Sequence, residues 1–355
     1  MGDPGVTELT TLPGLETLEQ PRPATTRDRW LERTPSRRLM LFAGSSHPEL
    51  AHRITEHLGI QLGDVDLKTF ANGEVYCRYL ESIRGADVFV VQSGSPPVND
   101  HLMELFVMID AAKLASASRI TAVLPWFPYS RQDKKSAPRE PITAKLVAEL
   151  LQSAGVDRVL TMDLHAGQIQ GFFKIPVDHM TALTLFAQHF RDQGLWGDRV
   201  VSVSPDPGRA KMARRFGEML EAEDLAILNK TRPTHDEAAV TEVIGRVGGK
   251  VAIMTDDMIV TGGTLLAGAH ALLEGGATAV YACATHGLFP SGALQKLDES
   301  ELEQIVVTDT VPIDPLNRPD KLRVLTVSGI LAESIHKVFS DESVSAIFAG
   351  QNQLF

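Results

Sequence analysis

From Arg38 onward, short β-branched or apolar runs alternate with stretches of helical period, and this constrains the fold more than any other property of the chain. The runs "RLMLFAG", "ADVFVVQS", "RITAVLPW", "RVLTMDL", "RVVSVSPD", "KVAIMTDD", "AVYACATH", "EQIVVTDT" and "LRVLTVS" read as strands. Between them, "VNDHLMELFVMIDAAKLAS", "ITAKLVAELLQSAG" and "TGGTLLAGAHALLEGG" read as helices. A parallel strand pair needs a crossover, and a helical crossover covers the sheet, so the pattern predicts an α/β fold with mainly parallel sheets flanked by helices. There are too many strands for one comfortable sheet. Two halves divided near residue 184 are expected, 38–184 and 185–334, after a leader, 1–37, that collects Pro, Thr and charge without a sustained period. That leader reads as mostly disordered, with a short helix near Trp30.

Charge and composition exclude several functions. The 355 residues carry 34 basic against 45 acidic side chains, a net charge of −11, which argues against a general nucleic-acid or anionic-membrane binder. No stretch approaches the ~18–20 apolar residues of a membrane span. Cys77 and Cys283 are too few for a disulfide framework or a zinc site, and point to a reducing cytoplasm. Anionic small molecules remain compatible with this balance, because local basic clusters can override the total.

Several strands end in polar turns, and open α/β sheets bind ligands beyond the carboxyl ends of their strands. In "DDMIVTGGT", Asp256 and Asp257 precede a Thr261–Gly262–Gly263–Thr264 turn into a helix. Free backbone N–H groups and the positive end of a helix dipole suit a phosphate, and the glycines let the main chain approach it. The two carboxylates are then placed for sugar hydroxyls or a water-held metal. An ordinary helix N-terminus with capping acids is the plain alternative. A second segment, "LPWFPYSRQDKKSAPREPITAKL", is a basic loop of the kind that can lie over a polyphosphate, Arg offering a fork and Lys a mobile point charge.

The 256–264 segment resembles the ribose 5-phosphate signature of type I phosphoribosyltransferases, and the basic loop resembles the ATP loop of ribose-phosphate pyrophosphokinases. "FANGEVYCRYLESIRGADVFVVQS", "DLHAGQIQGFF", "VSPD" and "NKTRP" match the same family in order, over about residues 38 to 348. The resemblance implies two tandem phosphoribosyltransferase-like domains, with segment 335–355 joining the first. It implies transfer of the β,γ-pyrophosphoryl group of MgATP to the anomeric hydroxyl of ribose 5-phosphate. By the same resemblance Phe70, Asn72, Gly73, Glu74, Arg131 and Gln132 bind ATP, the hairpin residues reaching across from a neighbouring subunit. His165 and Asp206 associate with Mg²⁺, and Lys230 and Arg232 are catalytic. Arg232, Asp256, Asp257, Val260, Thr261, Gly262, Gly263 and Thr264 hold ribose 5-phosphate. Ser82, Arg84, Ser343, Ser345 and Phe348 correspond to an activating phosphate site at subunit contacts. A homo-oligomer of dimers assembled into hexamers is implied.

Five positions depart from the family pattern. Val260 stands where Asp is usual, Arg209 where Gly is frequent, Ala137 and Pro138 replace residues tied to nucleotide inhibition, and Ala346 replaces a common Tyr. The loss of a carboxylate at Val260 leaves open a non-catalytic paralogue of the family. The 256–264 signature alone leaves open a phosphoribosyltransferase.

Overall fold

The computed structural model describes residues 37–231, 240–290 and 292–348; the leader and Arg232 lie outside these. The first sheet has strand order β1 (Leu39–Ala43), β4 (Asp87–Val91), β5 (Arg119–Leu124), β6 (Arg158–Met162) and β7 (Val177–Met180), all parallel. The hairpin β2 (Val65–Thr69) and β3 (Val75–Tyr79) stands apart from it as an antiparallel pair. The second sheet has order β10 (Val240–Ile244), β9 (Asp224–Thr231), β8 (Val200–Ser204), β11 (Val251–Ile259), β12 (Ala279–Gly287), β13 (Gln304–Thr308) and β14 (Leu322–Leu325). Only its β10–β9 edge pair is antiparallel. The α/β expectation is met, and the reason is visible in β4 and β8, where every residue of "DVFVV" and "VVSVS" is buried. A strand covered on both faces has no polar side to alternate with.

Helices within the two halves are α1 (Pro48–Leu58), α2 (Val98–Leu114), α3 (Thr143–Ala154), α5 (Ala210–Met219), α6 (Gly263–Glu274) and the short α7 (Ala293–Asp298), while α4 (Leu183–Asp192) leads from the first sheet to the second. The last helix, α8 (Ser328–Phe339), returns to pack on α1, where His57 Nε2 lies 3.1 Å from Ser328 Oγ. Beyond it, Asp341 accepts a 2.8 Å bond from Arg119 Nη1 at the start of β5, while Arg119 Nη2 holds Asp87 at 2.6 Å.

Two sheets do not mean two separate cores. Residues from Leu39 onward form one compact unit. One buried cluster contains Leu41, Phe89 and Leu160 of the first sheet together with Ile253, Cys283 and Val306 of the second. Helix α4 is the bridge: its Phe186 and Phe190 are fully buried there, and Phe190 meets the rings of Phe216 and Tyr281 edge-on at 6.1 and 6.0 Å. Among the described residues no helix is long and apolar enough to cross a membrane.

Candidate active site

The carboxyl ends of β5, β6, β8 and β11 face one polar cavity of about 220 Å³. Its lining brings together Arg131, His165, Asp206, Asp256, Asp257, Val260 and the turn Thr261–Thr264, all expected from sequence, and adds Arg209. The turn is set by Gly262, whose φ of 76° belongs to the left-handed region, and a Cβ there would lie 2.8 Å from Leu297 Cδ2. At Gly263 an added Cβ would meet no atom of the chain nearer than Thr261 Oγ1 at 3.9 Å, so the space it leaves open belongs to the cavity. Gly262 at the N-cap has no side chain to cap α6, which leaves its N-terminus suited to an anion.

The acid pair lies within β11, and it is tied across the cavity to the first sheet. Asp257 is buried, and both its oxygens are engaged: Oδ1 forms an ion pair with Arg209 Nη2 at 2.7 Å, and Oδ2 pairs with His165 Nδ1 at 2.8 Å. Nη2 also lies 2.6 Å from Nδ1, so that Arg209, His165 and Asp257 form one closed cluster. Arg209 Nη1 also donates to the His165 carbonyl at 2.9 Å, and its Nε lies 3.5 Å from Asp256 Oδ1. Burial and the neighbouring Asp257 charge push Asp256 well above the ordinary carboxylate range. Burial acts the same way on Asp257, but the His165 hydrogen bond and the Arg209 guanidinium outweigh it and hold Asp257 below that range. Negative charge therefore concentrates on Asp257, while Asp256, with 19% of its side chain exposed against 2%, is the carboxyl that faces the cavity.

Behind His165 lies a buried polar scaffold that reading the sequence does not find. Asp163 has a φ of 26° and accepts from the Ala182 N–H at 2.8 Å and from Thr285 Oγ1 at 2.6 Å through Oδ2, while its Oδ1 has no partner among the described residues. Burial raises its carboxyl to about 6. His286 Nε2 donates to the Asp163 carbonyl at 3.1 Å, and its Nδ1 pairs with Thr310 Oγ1 at 2.9 Å. His179 Nε2 accepts the Leu164 N–H at 2.9 Å. Burial lowers both imidazoles to about 4, so both are neutral at physiological pH. The segment carrying His165 is thus held from three sides. The sequence signals were a His at the end of "AVYACATH" and an Asp in "TMDL", both indistinguishable there from strand-end polarity.

Val260 forms part of a small apolar cluster with Trp126, Met258, Val311 and Leu288. It also borders a second, mostly apolar cavity of about 540 Å³ that shares Arg131 and includes Tyr129 and Gln132. Gln132 Oε1 accepts from Thr143 Oγ1 at 2.5 Å. The hairpin residues Phe70, Asn72, Gly73 and Glu74 do not line either cavity within one chain; they form an exposed tip in which Asn72 Oδ1 accepts the Glu74 N–H at 3.2 Å. Lys230 belongs to strand β9 and pairs in register with Thr241. Strand β9 packs beside the Pro207–Arg209 turn. Ser82 and Arg84 precede β4, at the amino end of the first sheet, away from the acid pair. Ser343 and Ser345 are exposed and bonded to each other at 2.8 Å, and Phe348 is a core residue. A larger cavity of about 760 Å³, between Gly287 and Pro319, has no comparable gathering of acids, His and a helix N-terminus.

No group of three or more His, Cys, Asp or Glu able to cage a metal occurs among the described residues. His165 and Asp206 nevertheless line the same cavity, and Asp206 is exposed while its Oδ1 caps the Arg209 N–H at 3.1 Å. Such a sparse set fits a hard cation that keeps waters and takes phosphate oxygens, the habit of Mg²⁺.

Comparison with known proteins gives this arrangement a lineage. Residues 39–155 match the N-terminal domain of ribose phosphate pyrophosphokinase, and residues 223–349 match the phosphoribosyl synthetase-associated domain. The chain is 49% identical over 308 residues to a ribose-phosphate pyrophosphokinase of Fusobacterium nucleatum, covering 87% of this chain and 97% of the relative. It is 51% identical over 310 residues to that of Caldanaerobacter subterraneus, covering 87% and 98%. A solved phosphoribosylpyrophosphate synthetase from Mycobacterium smegmatis superposes with a TM-score of 0.81 at 45% identity, over 86% of this chain and all of that one. A chain so related along nearly its whole described length, with the acid pair, the anion turn and His165 converging on one cavity, belongs to the ribose-phosphate pyrophosphokinase family.

Proposed function

We propose that this chain transfers the β,γ-pyrophosphoryl group of ATP to the anomeric hydroxyl of ribose 5-phosphate, giving phosphoribosyl pyrophosphate and AMP. The observation that carries the proposal is the single cavity in which the Thr261–Thr264 turn, the acid pair, His165, Asp206 and Arg131 meet. In this reading the backbone of the turn holds the 5-phosphate and Asp256 accepts from a sugar hydroxyl. Arg131 and Gln132 meet the nucleotide, and Lys230 with Arg232 supplies positive charge where the transferred phosphorus gains negative charge. Such transfer needs placement and electrostatics more than covalent help. His165 and Asp206 would hold Mg²⁺, which when bound neutralises polyphosphate charge. Asp257 is sterically and electrostatically committed to Arg209 and His165, so its role is to position them.

The same proposal includes a cytoplasmic location and ATP sites completed by Phe70, Asn72, Gly73 and Glu74 of a neighbouring copy in a hexamer. It includes two sequence domains, 38–184 with 335–355 and 185–334, and an activating phosphate near Ser82, Arg84, Ser343, Ser345 and Phe348. The test is to incubate purified chain with MgATP and ribose 5-phosphate, over a range of inorganic phosphate, and measure AMP. No AMP under any of these conditions rejects the reading. The anion turn with its acid pair is also what a phosphoribosyltransferase would need. Consumption of phosphoribosyl pyrophosphate with a nucleobase, and no AMP from ATP, would favour that alternative.

A further inference from the structure

Arg209 holds the densest set of polar contacts in the cavity, and it is only 11% exposed. Its guanidinium reaches Asp257 Oδ1 at 2.7 Å, Asp256 Oδ1 at 3.5 Å and the His165 carbonyl at 2.9 Å. The backbone is fixed as well, since the Arg209 N–H donates to both Asp206 Oδ1 at 3.1 Å and the Asp206 carbonyl at 3.2 Å. A planar fork of this kind matches a carboxylate in a way that a point charge does not. With Arg209 at hydrogen-bond distance, a second cation on the acid pair would meet a like charge a few ångströms away in a poorly solvated place. Leaving would strand Asp257, whose carboxylate is buried.

We propose that Arg209 takes the place of a divalent cation on the Asp256–Asp257 pair, so that this chain captures ribose 5-phosphate without a metal ion. The inference rests on the sugar-phosphate reading of the cavity given above. Arg209 balances the acids and holds Asp257 and His165 as one unit. Asp256, the accessible member, is left to the sugar hydroxyls, and the turn at Thr261–Thr264 to the phosphate. Metal binding is thereby separated from sugar capture and confined to the His165–Asp206 side of the cavity.

Calorimetric titration of the full chain with ribose 5-phosphate, in EDTA and then in excess Mg²⁺, tests this without any turnover. The wild-type Kd is expected to agree between the two conditions to within about twofold. Arg209→Ala should bind at least about tenfold more weakly in EDTA and regain most of that loss in Mg²⁺. Arg209→Gln, which keeps much of the volume and hydrogen bonding but not the charge, should behave like the alanine variant, and thermal melts establish that both are folded. Wild-type binding that appears only with Mg²⁺ overturns the proposal. So do variants that bind like wild type in EDTA, and so does a loss that Mg²⁺ does not repair. Absence of wild-type binding in both conditions instead overturns the sugar-phosphate reading itself, so the two failures are told apart.

Discussion

On the side proposed for the sugar phosphate, one strand carries both acids, Gly262 sets the turn into the helix, and Arg209 and His165 close on Asp257 at 2.7 and 2.8 Å. On the side proposed for the nucleotide, Arg131 and Gln132 sit on a loop surface, and the hairpin tip from Phe70 to Glu74 is exposed and touches neither cavity. One side is built by backbone and buried ion pairs before any ligand arrives. The other presents exposed groups that nothing within the chain holds in one geometry among the described residues. Preorganised charge costs no rearrangement at the moment of reaction, whereas exposed groups must be ordered by what they bind. The contrast predicts that damage on the first side appears as lost stability and lost sugar binding together, and damage on the second as lost nucleotide affinity alone.

The largest break should come from Asp257→Ala. It removes the carboxylate shared by Arg209 and His165, leaving the guanidinium Asp256 and the His165 carbonyl, and should cost about 3–5 kcal/mol in urea unfolding. Ribose 5-phosphate binding should vanish with it. Unchanged stability would mean that the ion cluster is not a structural unit. Lys230→Ala acts on neither side's binding. Turnover should fall by about 10²–10³ while calorimetric ribose 5-phosphate binding persists, and near-normal turnover would remove Lys230 from catalysis.

The scaffold behind His165 should make the prebuilt side sensitive to acid. His286 titrates at about 4 in the folded chain against an ordinary 6.5. A base with a depressed folded pKa favours protons in the unfolded state, so stability is lost as pH falls from about 6.5 towards 4, by about 3 kcal/mol. His179, also lowered to about 4, adds in the same direction. Against wild type, His286→Gln should show a shallower loss of stability across that window in denaturant titrations at each pH. An identical slope would count against the assignment.

On the exposed side, Phe70→Ala should leave unfolding free energy within about 0.5 kcal/mol of wild type. The KM for ATP should rise about tenfold while the KM for ribose 5-phosphate holds. Equal rises in both would erase the distinction between the two sides. The smallest effect is expected from Val260→Asp. Placing a carboxylate beside Trp126 and Met258 should lower stability by about 1 kcal/mol, read as a small drop in Tm. A rise in Tm would show that the family's usual acid fits here after all.

Much of the fold was legible because a strand buried on both faces must be written in apolar residues, as "DVFVV" and "VVSVS" are. Strand β7, "VDHM", escaped notice because half of its four residues are ionisable, and its His179 is buried only by virtue of a partner on Leu164. The anion turn and acid pair were legible because spacing alone places them at a strand end before a helix. Arg209 was visible only as a departure. An arginine is ordinarily solvated, and nothing in one dimension shows two carboxylates and a carbonyl converging on it. The meaning of Val260 was likewise three-dimensional, since the apolar partners that account for it come from residues 126, 258, 288 and 311.

The core that runs continuously from Leu41 through Phe190 to Val306 has a mechanical consequence. Two bodies that close on a substrate by rotation need a seam with few packed atoms, along which a hinge can bend. Here the seam is filled by α4 and its phenylalanines, so swinging one sheet away from the other would tear apart close-packed apolar contacts. The width of the cleft between β6 and β11 is therefore fixed at folding. Substrates must be admitted and enclosed by movements of single side chains and surface loops on an otherwise rigid block.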